Sequence, residues 1–379
     1  MHATRLNTLT SLRFFAASMI VLLHMNGTFW PSANIQGFTT GVSFFFVLSG
    51  FILRMVYGEL RSMGEVRQFY VARIARLWPM HLLSIGLLLL TTGTTLPSWN
   101  ITAANLLLLQ SWIPHPDWYF SLNGVAWSIS TELAFYAIFP LLTWRLERNW
   151  PIKIALAVAG IAVCAIIYPT VRPANDDEAL LVLAGLIYIN PVARVFEFLV
   201  GMLCAVLYYR ISHRINGSRA IWTVGEVSAC TLVVGCVAYA WPTFQSLSPY
   251  NPQLAEWVLQ SGQFWVLALL IFVFAIGRGA LSTILVSRPL VFLGEISFAM
   301  YMLHQVIIRA MEDHAKNFIA AYPGLSTAIY VSAVLLSSAA TFLLFEKPIR
   351  KFIVTRVARR PSSDLPTRSA EHQPQSSPR

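Results

Sequence analysis

Charge is scarce in this chain. Lys, Arg, Asp and Glu make up 12% of its 379 residues, about half the share usual in a soluble domain, and the 17 acidic residues are outnumbered by 27 basic ones. Cysteine is sparser still: Cys164, Cys204, Cys230 and Cys236 lie inside apolar runs, and none belongs to a CxxC pair. That spacing argues against a zinc site or a disulfide framework and leaves the four as small apolar fillers. No Walker phosphate loop, no GxGxxG turn after a strand and no repeat of about 20–50 residues stands out, which argues against P-loop, dinucleotide-binding and solenoid architectures. Hydrocarbon takes the place of the missing charge. Hydrophobic residues are 56% of the chain and mean hydropathy is +0.61, the composition of a protein solvated by lipid.

Crossing a bilayer takes about 20 apolar residues in a helix, because every backbone polar group must be satisfied within the segment. Ten stretches qualify, at approximately 12–30, 39–57, 76–95, 127–144, 152–168, 191–209, 220–240, 257–277, 288–309 and 324–345. Two shorter apolar runs, 101–112 and 180–189, read as interfacial or re-entrant pieces on the outer side. The net charge of +10 does not gather into a nucleic-acid-binding face. Instead, basic residues cluster in alternate connections: Arg54, Arg61, Arg67 and Arg73; Arg145, Arg148 and Lys153; Arg210, Arg214 and Arg219; Arg278 and Arg288. The intervening connections hold few, which by the positive-inside rule makes the first set cytoplasmic. The expected fold is an all-α membrane protein, a bundle of about ten transmembrane helices with both termini cytoplasmic. The first span lacks a small-residue cleavage site and reads as a retained helix. Residues 1–355 form the expected transmembrane domain. Residues 356–379, with Pro, Ser, Arg and Gln prominent and no apolar period, read as a disordered cytoplasmic tail.

An ionisable side chain inside a span is costly unless it faces the bundle interior or water, so each one is a functional candidate. Arg13 and His24 share a face of the first span about 16 Å apart, with His24 toward the outer half. Arg13 is compatible with a snorkelling anchor, and His24 with a hydrogen-bonded core residue, as well as with function. The fourth span opens Trp127-Ser128-Ile129-Ser130-Thr131-Glu132, putting Glu132 about 8 Å below its outer end. At that depth Glu132 is expected to hold one ring nitrogen of His24 and raise the basicity of the other. Tyr301 and His304 come three apart on one face of the ninth span, near the same level. Arg73 and Arg76 stand three apart at the expected cytoplasmic entrance of the third span, suited either to phosphate or to plain anchoring. Arg194 and Glu197, one turn apart, read as an intrahelical ion pair or as acceptor recognition.

Together these residues fall into ordered motifs. They are Leu9-x-Ser11-Leu12-Arg13 with Arg13-x10-His24, the run Gly41-Val42-Ser43-Phe44-Phe45-Phe46-Val47-Leu48-Ser49-Gly50-Phe51, and Arg73-x-x-Arg76 followed by Pro79. Then come Trp127-Ser128 with Glu132 and Phe135-Tyr136, Arg194-x-Phe196-Glu197-Phe198 with Gly201, Leu293-Gly294-x-Ile296-Ser297 with Tyr301 and His304, and Phe345-Glu346-Lys347-Pro348. In this order, over about residues 6–350, the chain resembles the membrane acyltransferase-3 family of bacterial integral-membrane O-acyltransferases. The resemblance implies a ten-helix bundle in the bacterial inner membrane and an acyl-CoA co-substrate, with acetyl the expected acyl group. It also implies an acceptor that is a glycan or a glycosylated small molecule, with no bound cofactor or metal. Carried over residue by residue, it makes His24 the catalytic residue, and Arg13, Arg73 and Arg76 donor-binding or site-shaping residues. The chain departs from the family pattern at Trp78 and at His81, where a tyrosine often follows the proline.

On this reading CoA phosphates dock on Arg73 and Arg76, Arg13 lines the path of the pantetheine arm, and His24, oriented by Glu132, takes the proton of the attacking hydroxyl. Ser128, Arg194, Glu197, Tyr301 and His304 stand as further acceptor-side or supporting residues. An acyl-histidine intermediate fits the same residues. The rival reading is a transporter or flippase in which His24, Glu132 and His304 relay protons. Besides acyl-CoA and the acceptor, membrane lipid is the expected partner, and nucleic acid is not.

Overall fold

The computed structural model describes residues 2–358, with side chains from 7 to 356; the tail expected at 356–379 lies outside the described residues from 359 onward. Ten segments of the described residues are long and apolar enough to cross a membrane, as the hydropathy pattern predicts. Their principal helices are α1 (His2–Met25), α2 (Thr40–Tyr57), α3 (Met63–Thr91), α4 (Trp127–Thr143), α5 (Leu146–Val171), α6 (Pro191–Ile211), α7 (Arg219–Leu247), α8 (Phe264–Ile276), α9 (Arg288–Ala321) and α10 (Pro323–Thr341). The described residues contain no strand, only one isolated bridge between Asn26 and Trp30.

Two boundaries differ from expectation in ways that matter. A capping box starts α3 thirteen residues before the expected 76: Ser62 Oγ accepts from the Glu65 amide at 3.2 Å, and the Glu65 carboxylate accepts from the Ser62 amide at 3.3 Å. Such reciprocal caps satisfy two of the orphan donors at a helix start. Arg73 and Arg76 therefore lie about 15–20 Å into the helix rather than at its entrance. At the other end of the chain, α9 runs past the expected 309 to Ala321, with a kink at Ala315.

The bundle is tightest where α2 crosses α6. A Cβ added to Gly50 would collide with the Phe198 carbonyl, and one added to Gly201 with the Val47 carbonyl. Close backbone approach through small residues replaces the hydrophobic drive that helices lack in lipid. Around this crossing, α1 packs on α9 and α9 on α10, enclosing a core in which Phe46, Phe135, Phe139 and Phe198 are 2% exposed or less.

The run expected at 101–112 folds back against α3 and α4, re-entrant with respect to the bundle. From the middle of α3, Trp78 Nε1 donates to the Leu106 carbonyl at 2.9 Å and His81 Nε2 donates to the Asn105 carbonyl at 2.8 Å. Ser130 Oγ, on α4, donates to the Leu108 carbonyl at 2.6 Å and lies 2.7 Å from Ser111 Oγ. Non-helical backbone survives at such depth only when protein groups satisfy it, and Trp78 and His81, the two departures from the family pattern, supply part of that. The segment thus starts α4 inside the bundle, with Trp127 only 4% exposed. The run 180–189 is largely buried from Val182 onward: a helix, Asp176–Ala184, and a π-turn, Gly185–Ile189, lead directly into α6 across the capping residue Asn190.

Candidate active site

A cavity of about 250 Å³ opens among α1, α2, α3, α4 and α9. One end carries Arg13, Arg73 and Arg76 together with Glu132, Tyr136 and Ser49; the other carries Ser128 and Tyr301; Val42, Phe45, Phe46, Ile52 and Phe298 line the walls. Arg73 donates to the Tyr57 hydroxyl at 3.2 Å and lies over the rings of Tyr57 and Tyr136. Arg13 and Arg76 face each other, Glu132 and Glu346. Three guanidinium groups meet two carboxyl groups there, so at least one positive charge is left uncancelled at the arginine end. In surroundings of low polarity, such an excess favours an anionic ligand.

Glu132 stands at this end and not beside His24, which corrects the expected pair. Its Oε1 accepts from Ser49 Oγ at 3.0 Å and from the Tyr136 hydroxyl in a short hydrogen bond. Depth is the reason. Because the re-entrant segment starts α4 inside the bundle, Ser128 already lies level with Tyr301, and Glu132 falls one turn deeper.

The partner of His24 is His304. His24 Nδ1 lies 2.9 Å from the Ile20 carbonyl and 3.1 Å from His304 Nε2, and His304 Nδ1 lies 3.3 Å from the Met300 carbonyl. A carbonyl oxygen only accepts, so both Nδ1 atoms carry the proton, an assignment made from the partners. His304 Nε2 is then the acceptor toward His24, and the lone pair of His24 falls on Nε2, which has no partner among the described residues. The helix backbone thereby sets the tautomer that a carboxylate was expected to set. Below the pair, the rings of His304 and Tyr301 are 5.7 Å apart. The Tyr301 hydroxyl lies 2.8 Å from Ser128 Oγ and donates to the Val125 carbonyl at 3.2 Å. Polar groups therefore continue from the arginine end of the cavity to its far end, and one turn beyond it to the two histidines.

Arg194 and Glu197 form the intrahelical pair, at 2.8 Å and with neither side chain exposed. Arg194 also donates to the Gln260 carbonyl at 3.2 Å and to the hydroxyls of Ser261 and Ser43, each at 2.9 Å, so α6 is tied to α2 and to the helix Pro252–Ser261. Neither residue lines the cavity. Sequence reasoning gave no part to Ser49, Tyr136 or Glu346 in the site. All three stood within quoted motifs, and a carboxylate at the end of the last apolar span was the signal for Glu346.

A family profile described as an acyltransferase domain matches residues 6–345. The chain belongs to the acyltransferase-3 family. This acyltransferase is 32% identical over 335 residues to acyltransferase MdmB of Streptomyces mycarofaciens, covering 81% of this chain and 80% of that one. It is 22% identical over 373 residues to O-acetyltransferase OatA of Staphylococcus aureus (strain NCTC 8325 / PS 47), covering 90% of this chain and 57% of that one. It is 25% identical over 335 residues to YrhL of Bacillus subtilis (strain 168), named a candidate peptidoglycan O-acetyltransferase, covering 81% and 49%. The acyltransferase thus spans about half the length of OatA and YrhL. No solved structure matches it.

Proposed function

We propose that this acyltransferase moves an acetyl group from acetyl-CoA, held at the arginine end of the cavity, to a hydroxyl of a sugar that meets it at the histidine pair. The observation that carries this reading is the continuity of the site: an anion-attracting end, an apolar-walled cavity, and a neutral imidazole one turn past the far end. At about 250 Å³ the cavity falls below the roughly 300–1,000 Å³ of a site for a drug-sized ligand. It suits the acyl-pantetheine arm, with the nucleotide left outside against Arg73 and Arg76. Arg13, between those arginines and the far end, lines the arm's path, while Glu132 and Glu346 hold the guanidinium groups apart.

In the transfer step, the acceptor oxygen attacks the thioester carbonyl as His24 Nε2 takes its proton. A C–O bond forms, the C–S bond breaks, and the imidazolium returns the proton to the departing thiolate, giving ester and free CoA. His304 and the Ile20 carbonyl keep His24 in the tautomer this requires. Tyr301 and Ser128, where the acyl end would lie, supply a hydroxyl for the developing oxyanion once its proton turns away from the Val125 carbonyl. By the positive-inside rule the arginine end faces the cytoplasm and the histidine pair the opposite side of the inner membrane, so donor and acceptor meet without either crossing. The glycan acceptor follows the name of YrhL, which specifies peptidoglycan.

The test is purified protein in lipid with labelled acetyl-CoA, offered methyl glycosides of glucose, galactose, mannose and N-acetylglucosamine together with soluble peptidoglycan fragments. Wild type is expected to transfer label, and His24→Ala, still folded, to lose about 100-fold or more of that rate. Transfer undiminished in His24→Ala removes it as the base. No transfer by wild type to any acceptor would sink the reading and direct attention to proton flux.

A further inference from the structure

Gln305 has no role in anything described so far, yet its side-chain Oε1 is enclosed and without a hydrogen-bond partner among the described residues. Such an atom has given up water for nothing in return, an arrangement expected where a ligand completes it. Its place on α9 says which ligand. At about 100° per residue, Gln305 projects about 40° from Tyr301 and about 20° from Phe298, so it stands about one turn above the first of these cavity-lining residues and about two above the second, on the same stripe. It also follows His304 directly in the chain. Further along that stripe, Glu312 accepts from Thr28 Oγ1 at 2.8 Å and Arg309 donates to the Leu122 carbonyl at 2.7 Å, so both are tied to neighbouring segments.

We propose that Gln305 is an acceptor-binding residue, whose side-chain carbonyl takes a hydrogen bond from the hydroxyl next to the one that is acylated. Two acceptor atoms then serve the end of the site opposite the arginines: His24 Nε2, and Gln305 Oε1 on the residue that follows His304, the hydrogen-bond partner of His24. A carboxylate or a phosphate has no proton for either; a vicinal diol on a sugar ring has one for each. The inference rests on the acyl-transfer reading and narrows it: the substrate is a ring with adjacent free hydroxyls.

The experiment takes the panel sugar that accepts label together with its monodeoxy counterparts, and compares wild type with Gln305→Met, a substitution of similar length that lacks the oxygen. Wild type is expected to lose about tenfold in kcat/KM on the counterpart missing the neighbouring hydroxyl. Gln305→Met is expected to show about tenfold higher KM for the parent sugar, unchanged KM for acetyl-CoA and no further loss on that counterpart. A merely structural role would move both KM values and leave the deoxy penalty intact. An unchanged acceptor KM, or a deoxy penalty that persists in Gln305→Met, overturns the inference while acyl transfer stands. Absence of transfer by wild type overturns both.

Discussion

Single residues in this bundle divide by whether their charge is cancelled where they sit. Arg194 is fully enclosed, and its ion pair with Glu197 is supported by hydroxyls and a carbonyl from two other elements. Removing one partner leaves the other charged and buried. Arg194→Met is therefore expected to destabilise the protein by about 3–5 kcal/mol, read as thermal unfolding in detergent, and Arg194→Met/Glu197→Leu to recover most of the loss. The arginine end of the cavity has an uncancelled charge and behaves differently. Arg76→Lys keeps the charge but loses the planar fork that grips phosphate, so KM for acetyl-CoA should rise about tenfold with little change in melting temperature. A missing rise would free Arg76 from donor binding. A His24 base must be neutral to act, so log(kcat/KM) should climb with slope +1 on the acid side and level off above the imidazole range. The residual rate of His24→Ala should lack that limb.

Elements are placed by backbone contacts that the hydrophobic pattern does not reveal. Gly50 and Gly201 let α2 and α6 touch backbone to backbone, and α2 also carries Val42, Phe45, Phe46, Ser49 and Ile52 into the cavity wall. Gly201→Val adds a branched side chain where a single Cβ already collides. It is expected to cost more than about 3 kcal/mol, since the neighbours to be displaced are backbone atoms, and to lower the folded fraction on size exclusion. Gly86→Ala, with open space at its Cβ, should leave that fraction unchanged. The re-entrant segment shows the same dependence in another form. Trp78 and His81 satisfy carbonyls that would otherwise be stranded at depth, and in doing so the segment sets how far into the bundle α4 begins.

For the whole molecule, the alternation of basic connections gives a sidedness that can be measured directly. Met63, 81% exposed at the start of α3, and Trp99, 77% exposed beyond its other end, lie on opposite sides if the positive-inside rule holds. An impermeant maleimide should label Trp99→Cys in intact cells and Met63→Cys only after permeabilisation, in a background where the four native cysteines are replaced. Labelling in the reverse pattern would invert the site and put its arginine end away from the cytoplasm, where acetyl-CoA would not meet it.

The ten spans were legible in the sequence because length and hydropathy are local properties, and because lipid obliges each segment to satisfy its own backbone. The candidates Arg13, His24, Arg73, Arg76, Glu132, Ser128, Tyr301 and His304 were legible for a related reason: polar groups are rare in spans, and each stands out against its neighbours. Which of them meet was another matter. The sequence set Glu132 beside His24 by counting from the hydrophobic boundary of the fourth span, and the structure puts His304 there instead. The difference comes from the vertical offset between helices, which depends on a glycine crossing and on a re-entrant segment that carries α4 into the bundle. Hydropathy records how long a helix is, not how deep its neighbours hold it. Only the packed bundle decides that Arg13, Arg76 and Glu132 share one end of a cavity, with Glu346 close to both arginines, and that two histidines 280 positions apart are hydrogen-bonded one turn past the other end.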